Sequence, residues 1–174
     1  AHRGGGRRLG EAEQPFEILP RQPGAGAHQV AHQHLARGRG ITQPDTGRPA
    51  MPQDQFYIKR LVAMGGETVR IGNDRHLVIN GRQLDHTTPH FENVYSFDPS
   101  QPPRPNQYSG HVNGTIARQV TQIGIAPLFP DESAVYTVRP NHYLVMGDNT
   151  MDSYDGRAWG SFSRTNVIGK CFFV

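Results

Sequence analysis

The sequence has 174 residues, of which 35% are apolar and 19% charged, and a mean hydropathy of −0.62, which suits one folded domain and a further segment. Its uninterrupted apolar runs reach four residues at most, whereas a bilayer-spanning helix needs about 20 and a signal-peptide core about 7 to 15. The sequence as given therefore predicts neither. Its one cysteine, Cys171, excludes an internal disulfide and a zinc site built from several thiolates.

Residues 1–54 differ in composition from the rest of the chain. The first 50 residues contain seven arginines and four acidic residues, so they account for the whole net charge of +3. They are rich in Gly, Ala, Pro and Gln, and such a segment cannot bury enough apolar surface to offset its ordering entropy. We therefore predict a low-complexity, disordered segment over residues 1–54, with at most a short helical turn near Ala27–Leu35.

This segment has three other interpretations, of which the first two have weak support. His28, His32 and His34 have the residue type for a metal site, but solvated histidines in a disordered segment explain them as well. The few Arg-Gly pairs are a weak signal, and we predict no nucleic-acid partner. The first 50 residues also contain no lysine and no serine, a composition that a GC-rich gene gives when it is read in the wrong frame.

From residue 55 to residue 174, the sequence predicts a β-domain. The pair Asn80-Gly81 predicts a hairpin, because a type I′ turn needs two residues with positive φ. Residues 85–133 are predicted as a loop-rich insertion with a short strand at Gly114–Ile123, and Gly147–Ser163 as an irregular polar loop. Strands are predicted at Phe56–Ala63, Glu67–Ile71, His76–Ile79, Arg82–Leu84, Ala134–Val138, His142–Met146 and Asn166–Val174. The fold class is therefore all-β, with mostly antiparallel sheets.

Lys59 is the first residue that indicates chemistry. It lies in an apolar strand pattern, where a solvated lysine on the polar face of the strand is the ordinary interpretation. If the side chain instead points into a closed apolar site, desolvation lowers its pKa and makes the amine a usable base. A neutral amine beside a hydroxyl can deprotonate that hydroxyl, as in Ser-Lys nucleophilic catalysis.

The loop that begins at Gly147 carries the other polar candidates. Its aspartates lack the alternating ligands and the terminal glutamate of an EF-hand loop, so no calcium site is predicted. Asp155 and Arg157 are two residues apart and can pair, which would hold the loop against the strand that bears Lys59. Ser153 could then place its hydroxyl within about 2.7–3.2 Å of the lysine amine.

These motifs resemble those of the type I signal peptidases, which are membrane-bound Ser-Lys endopeptidases. The resemblance runs from about Phe56 to Val174, and the motifs occur in the order found in that family. The motifs are Tyr57-Ile-Lys-Arg-Leu-Val-Ala-Met-Gly-Gly-Glu-Thr-Val69, Asn80-Gly81-Arg82, Gly147-Asp148-Asn149, Ser153-x-Asp155-x-Arg157, Trp159-Gly160 and Asn166-Val-Ile-Gly-Lys170.

The resemblance implies a fold of the signal-peptidase and repressor-protease type, and a role for each matching residue. Lys59 is implied to be the general base, Ser153 the hydroxyl that orients it, and Asp155 with Arg157 the pair that supports the site. The motif Gly147-Asp148-Asn149 is implied to be part of the site loop. The implied reaction is the removal of signal peptides from exported preproteins, on the outer face of the membrane, without a metal or another cofactor.

The sequence departs from the family pattern most clearly at the nucleophile. The family motif Ser-Met-x-Pro should precede the lysine by several dozen residues, but no serine occurs before Ser96. The substrate-docking strands and the membrane anchor that accompany the motif are also not found. A smaller departure is Gly156, which replaces the usual serine between the aspartate and the arginine. We identify no nucleophile, and we predict that this chain by itself is inactive.

Two other classes of protein are alternatives to a peptidase. A non-catalytic β-domain that binds extended peptides or partner proteins would explain the missing serine, but not why Lys59, Ser153, Asp155 and Arg157 all suit catalysis. A self-cleaving repressor-type protein would share the general fold. It would also need a helical DNA-binding domain, which residues 1–50 cannot form.

Overall fold

The structure, a computed structural model, describes residues 33–37, 56–120 and 124–170, with the backbone alone for residues 33–37 and Lys170. The predictions for His28, His32 and Cys171 lie outside these residues. The described elements in chain order are β1 (Gln33–Arg37), β2 (Phe56–Met64), β3 (Thr68–Ile71), β4 (Leu77–Ile79), β5 (Arg82–Gln83), α1 (Gly114–Gln119), β6 (Tyr136–Thr137), β7 (His142–Met146), α2 (Gly156–Trp159), β8 (Phe162–Ser163), a 3-10 helix (Arg164–Asn166) and β9 (Val167–Lys170).

The strands form two antiparallel sheets, which confirms the predicted fold class. One sheet has the order β8-β7-β2-β1-β9, and the other has the order β5-β4-β3-β6. The five-stranded sheet places β2, which carries Lys59, between β7 and β1. The loop that follows β7 therefore begins directly beside the lysine strand.

Apolar side chains from both sheets form the main core. Fifteen buried residues belong to this cluster, including Ala63 of β2, Ile71 of β3, Ile79 of β4 and Met146 of β7. The insertion contributes to the same cluster, for example with Phe129, which is fully buried. Burial of such side chains supplies most of the stability of a domain of this size.

A second apolar cluster lies on the other face of β7 and β2. It consists of Val145, Trp159 and Phe162, with Tyr57 and Leu61 packed against it. Alternation along a strand places Tyr57, Lys59 and Leu61 on one face of β2. Lys59 therefore shares its face with apolar neighbours instead of lying on a polar, solvated face.

The hairpin turn and the strands β2 and β7 agree closely with the predictions from the sequence. Strands β4 and β5 are joined at Asn80 and Gly81, whose φ angles are 51° and 80°, as a type I′ turn requires. The predicted strand at Phe56–Ala63 is one residue longer in the structure, and the strand at His142–Met146 has the predicted bounds.

The prediction of disorder is wrong for residues 33–37. This segment forms β1, where the sequence predicted at most a helical turn near Ala27–Leu35, and it pairs with β2 on one side and β9 on the other. Leu35 is opposite Ile58, and a register shift between Leu35 and Ala36 leaves Ile168 of β9 as an extra residue. The local composition does not reveal β1 because its partners are far away in sequence.

Two further local predictions are also corrected. Of the short strand predicted at Gly114–Ile123, residues 114–119 instead form the helix α1, and residues 121–123 lie outside the described residues. The side chain of Asn113 caps this helix by accepting a hydrogen bond from the Ile116 amide. The loop predicted at Gly147–Ser163 contains α2 and β8, and much of it is buried. Hydrogen bonds between polar side chains fix this loop, as the site shows.

Candidate active site

Lys59 and Ser153 are in direct contact. The Lys59 Nζ donates a hydrogen bond to the Ser153 Oγ over 2.8 Å, within the range expected from the sequence. Strand β2 holds the lysine, and the loop after β7 brings the serine to it across 94 positions of the chain. The amine and the hydroxyl therefore have the geometry that a base and its orienting partner need, while their catalytic roles remain a prediction.

Burial changes the acidity of Lys59. Desolvation lowers the pKa of its amine below the ordinary value of 10.5, and the positive charge of Arg157 lowers it further. The carboxylates of Asp155, Asp152 and Asp148 act in the opposite direction, but they do not reverse the shift. A larger fraction of the amine is therefore neutral near pH 7 than for a solvated lysine, which favours its use as a proton acceptor.

Asp155 and Arg157 form a fully buried ion pair behind the lysine. Arg157 Nη2 donates to Asp155 Oδ2 over 2.8 Å and its Nε donates to Oδ1 over 2.9 Å, and both side chains are 0% exposed. The charge of Arg157 and several hydrogen bonds lower the pKa of Asp155 despite its burial. The predicted pair is present, and the carboxylate stays ionised.

The same carboxylate joins the two ends of the loop. Asp155 Oδ2 accepts a hydrogen bond from the Gly147 amide over 2.9 Å, and Oδ1 accepts one from the Arg157 amide at the start of α2. Arg157 Nη1 donates to Thr150 Oγ1 over 2.7 Å, and that hydroxyl also accepts from the Val112 amide. These bonds fix the segment that carries Ser153.

Two glycines permit close approach in this loop. A β-carbon at Gly147 would lie 2.1 Å from Ser153 Oγ and 3.4 Å from Lys59 Nζ, so a side chain there would displace the serine. At Gly156, a β-carbon would lie 2.6 Å from Leu144 Cδ1 and 2.6 Å from the Val145 carbonyl oxygen. Helix α2 therefore packs so closely on β7 that a side chain at position 156 would displace one of them.

Asp148 has a partner that the sequence analysis missed. Arg60 donates to both carboxylate oxygens of Asp148, with its Nε and Nη2 each 2.6 Å away, and it also donates to the His90 carbonyl. The guanidinium lies over the Phe91 ring, 5.3 Å from its centroid. Arg60 follows Lys59 directly, so this bidentate pair joins the lysine strand to the site loop. No local pattern signals a contact between residues 88 positions apart.

Asn149, the last residue of the predicted loop motif, forms its side-chain hydrogen bonds with the insertion. Its Oδ1 accepts from the Asn106 amide over 3.2 Å, and its Nδ2 donates to Asn106 Oδ1 over 3.4 Å. The structure therefore brings Lys59, Ser153 and Gly147 together, places Asp155 and Arg157 behind them, and uses Asp148 and Asn149 as links to other segments.

A buried histidine lies close to these charges and was also missed. His111 is fully buried, and burial together with the Arg157 charge lowers its pKa to about 3. Its Nδ1 is 3.3 Å from the Tyr95 hydroxyl, while its Nε2 has no hydrogen-bond partner among the described residues. Desolvation raises the pKa of Tyr95. His111 is therefore neutral near pH 7.

The described residues contain no group of three or more His, Cys, Asp or Glu side chains arranged to hold a metal ion. Within the same residues, no helix has the length and apolar character needed to cross a membrane. A desolvated lysine amine, a serine hydroxyl and a buried ion pair are the chemical groups that the site offers.

The structure thus combines an antiparallel β fold with a desolvated lysine amine beside a serine hydroxyl, the two group types that Ser-Lys hydrolases combine. The model of the family "Signal peptidase, peptidase S26" matches residues 31–174. The chain therefore belongs to this family. The match includes β1, and it begins before the boundary predicted at residue 54.

Two curated relatives agree with this assignment. Signal peptidase I of Haemophilus influenzae is 29% identical over 133 residues, which cover 68% of this chain and 38% of the relative. Signal peptidase I S of Bacillus subtilis is 30% identical over 122 residues, which cover 70% of this chain and 52% of the relative. The crystal structure of a signal peptidase I from Enterococcus faecalis covers 82% of this chain and 95% of that chain, with 22% identity and a TM-score of 0.42. The chain thus spans about two-fifths to a half of the curated relatives.

Proposed function

We propose that this chain is the base-bearing part of a Ser-Lys endopeptidase that removes signal peptides from exported preproteins. One observation carries the proposal: the desolvated Lys59 amine lies 2.8 Å from the Ser153 hydroxyl. The relatives named Signal peptidase I support the substrate class. The preprotein is then the partner, and the reaction takes place on the outer face of the membrane.

In this proposal Lys59 moves the proton. Its neutral amine takes the proton of a nucleophilic serine hydroxyl as that oxygen attacks the scissile carbonyl carbon. The resulting ammonium then gives the proton to the leaving amine, which completes the acylation half of the reaction. Water attacks the acyl-enzyme in the second half, with the lysine again as base. Ser153 and the Asp155–Arg157 pair hold the amine in place.

The proposal needs a nucleophile that this sequence does not identify. Ser153 has the distance for such a role, but its position in the motif is that of the lysine's orienting partner. A second serine, brought to the amine from the segment before β2, is therefore required. We expect the isolated chain not to cleave a preprotein. Cleavage by the isolated chain that disappears in Ser153→Ala would instead identify Ser153 as the nucleophile.

The test is a chimera in which residues 1–50 are replaced by the anchor, nucleophile motif and docking strands of an active relative. Because β1 pairs with β2 beside Lys59, the graft must also supply a strand at this position. The chimera should cleave a preprotein. Lys59→Met should abolish cleavage because it removes the amine and keeps the apolar stem, and Ser153→Ala should reduce the turnover without abolishing it.

Lys170→Met is the matched control, since Lys170 is the only other lysine in the sequence. This variant should leave cleavage by the chimera near its original rate. Full activity of Lys59→Met would show that Lys59 is not the base. A folded chimera that binds the preprotein and never cleaves it would favour the second candidate, a non-catalytic peptide-binding domain, which the absence of a serine before Ser96 already favours in part.

A further inference from the structure

A groove lies on the insertion side of the site loop. It has a volume of about 820 Å³, within the range of ligand sites, and residues 96–109 of the insertion form much of its wall. Asp148 and Asn149 line it as well. These two residues directly follow Gly147 in the sequence, so the groove is next to the candidate active site. The two hydrogen bonds between Asn106 and Asn149 tie its outer wall to the site loop.

Among the described residues that line this groove, Arg75 is the one cation, and most of its donors have no partner in the described part of the chain. The residue is only 5% exposed, and its guanidinium stacks on the Phe97 ring at 4.2 Å from the centroid. Its Nη2 donates to the Asp98 carbonyl over 3.1 Å, and this is the only side-chain hydrogen bond that the described residues give it. No Arg75 nitrogen is among the buried side-chain atoms that lack a partner, so its remaining donors reach the solvent of the groove. There the planar guanidinium can donate two parallel hydrogen bonds to an anionic group.

The two carboxylates of the groove already have their donors. Asp148 accepts both of its bonds from Arg60, and Asp98 accepts from the amide and the hydroxyl of Ser100. The charge of Asp98 acts on Arg75 from a distance, but the two side chains form no ion pair. The carboxylates of the groove therefore already have donors from the chain, and the Arg75 guanidinium is the charged group of the lining that can still bind a carboxylate ligand.

The surroundings of Arg75 also suit a peptide. The Tyr108 side chain is 47% exposed in the wall, and it offers an aromatic surface to a passing chain. At the base of the groove, a β-carbon on Gly110 would lie 2.4 Å from the Arg75 carbonyl oxygen and 2.7 Å from Phe97 Cε1, so only glycine lets these segments meet. The close packing holds Arg75 and Phe97 in one arrangement.

We propose that this groove is a specificity subsite that binds an acidic side chain of the substrate on the mature side of the scissile bond. This inference rests on the proposed function for its substrate class. A signal peptide has a basic start, an apolar core and a cleavage site of small residues, so the acidic side chains of a preprotein are expected in its mature part, after the cleavage point. The carboxylate would accept hydrogen bonds from the Arg75 guanidinium.

The experiment measures binding to the full chain and does not depend on cleavage. Two fluorescein-labelled peptides share an Ala-x-Ala cleavage sequence and differ only in carrying Asp or Asn at the positions after it. The chain should bind the Asp peptide about tenfold more tightly, the effect of one charge-assisted bidentate pair. Arg75→Gln should remove this preference, whereas Arg75→Lys should keep part of it because the charge remains without the planar fork.

Arg82→Gln is the matched control, since it removes the same charge from the exposed strand β5, outside the groove. It should keep the preference. Equal binding of the two peptides by the unaltered chain, or a preference that persists in Arg75→Gln, would overturn the proposal. If Arg75→Gln does not fold, the side-chain NMR signal of Arg75 Nε decides: it should shift with the Asp peptide alone, and no shift overturns the proposal.

The outcomes separate this inference from the proposed function. The chain could prefer the Asp peptide in a way that needs Arg75 while the chimera never cleaves a preprotein. This result would support the groove as a peptide-binding site and contradict the proposed peptidase function. Cleavage by the chimera without any Asp preference would keep the peptidase and reject the subsite.

Discussion

The hairpin region at residues 67–84 and the loop at residues 147–163 are both well buried, but different forces hold them. Apart from Arg75, the hairpin region buries apolar side chains, such as Val69, Ile71 and Ile79, each at most 1% exposed. The loop also buries apolar side chains, but at its centre it buries the charges of Asp155 and Arg157, which are 0% exposed. Apolar burial contributes in proportion to area, whereas a buried ion pair is stable only while both partners are present.

This difference predicts how each region responds to substitution. Shortening an apolar side chain in the hairpin removes some contacts and leaves the others. Removing one partner of the loop pair leaves an uncompensated charge in a fully buried position. The loop also holds Ser153 at Lys59, so its stability and the geometry of the candidate active site change together.

The largest effect is expected for Asp155→Ala. The variant leaves Arg157 buried without its counter-charge and removes the cap of α2, so the free energy of unfolding should fall by about 3–5 kcal/mol. Urea denaturation measures the change. The double variant Asp155→Ala/Arg157→Met should lose less than Asp155→Ala alone, because no unpaired charge remains. Equal or greater loss in the double variant would contradict this account of the loop.

The next effect concerns acid and His111. The unfolded chain binds a proton at this residue near pH 6.5, whereas the folded chain binds it only near pH 3. Stability is therefore complete above pH 6.5, and it should fall by about 1.4 kcal/mol per pH unit as the pH drops toward 3. His111→Asn, which cannot titrate and keeps an acceptor for Tyr95, should lack this loss. Denaturation at pH 7.0, 6.0 and 5.0 measures it, and parallel pH profiles of the two proteins would contradict the prediction.

A smaller effect is expected in the hairpin for Ile79→Val. One methylene is lost from a side chain that is opposite Val69 in the sheet, so stability should fall by about 1 kcal/mol. Lys59 and Ser153 should stay in contact, since no polar group changes. A loss above about 3 kcal/mol would show that the hairpin is as sensitive to substitution as the loop, which would contradict the difference described between the two regions.

The parts of the fold that local patterns determine were predictable. Asn80-Gly81 specifies its turn through positive φ angles, and the apolar runs of β2 and β7 set their own bounds. The helix α1 was not predicted, because Gly114-Thr-Ile116 favours no helix. Asn113 is a local signal for a helix start, but one cap does not specify so short a helix without tertiary packing. Strand β1 exists through pairing with distant strands, which composition does not show.

The candidate site divides in the same way. The pair Asp155 and Arg157 and the contact of Lys59 with Ser153 were expected from spacing and from the family resemblance. The pair of Arg60 with Asp148 was not expected, because its two residues carry no local signal. The sequence did not indicate the Arg75 groove either, because Arg75 is buried by contacts with Phe97 and Asp98 of the insertion, more than 20 positions away.

The most direct test of the central claim is the pKa of the Lys59 amine. The sequence contains two lysines, so NMR of the chain with 13C-labelled lysine gives two side-chain signals, and Lys59→Met assigns them. Desolvation predicts that the Lys59 signal titrates clearly below 10.5, and that Ser153→Ala alters its titration because the hydrogen bond is lost. Titration of Lys59 at or above 10.5 would show a solvated, permanently charged amine, and it would contradict the assignment of Lys59 as the base.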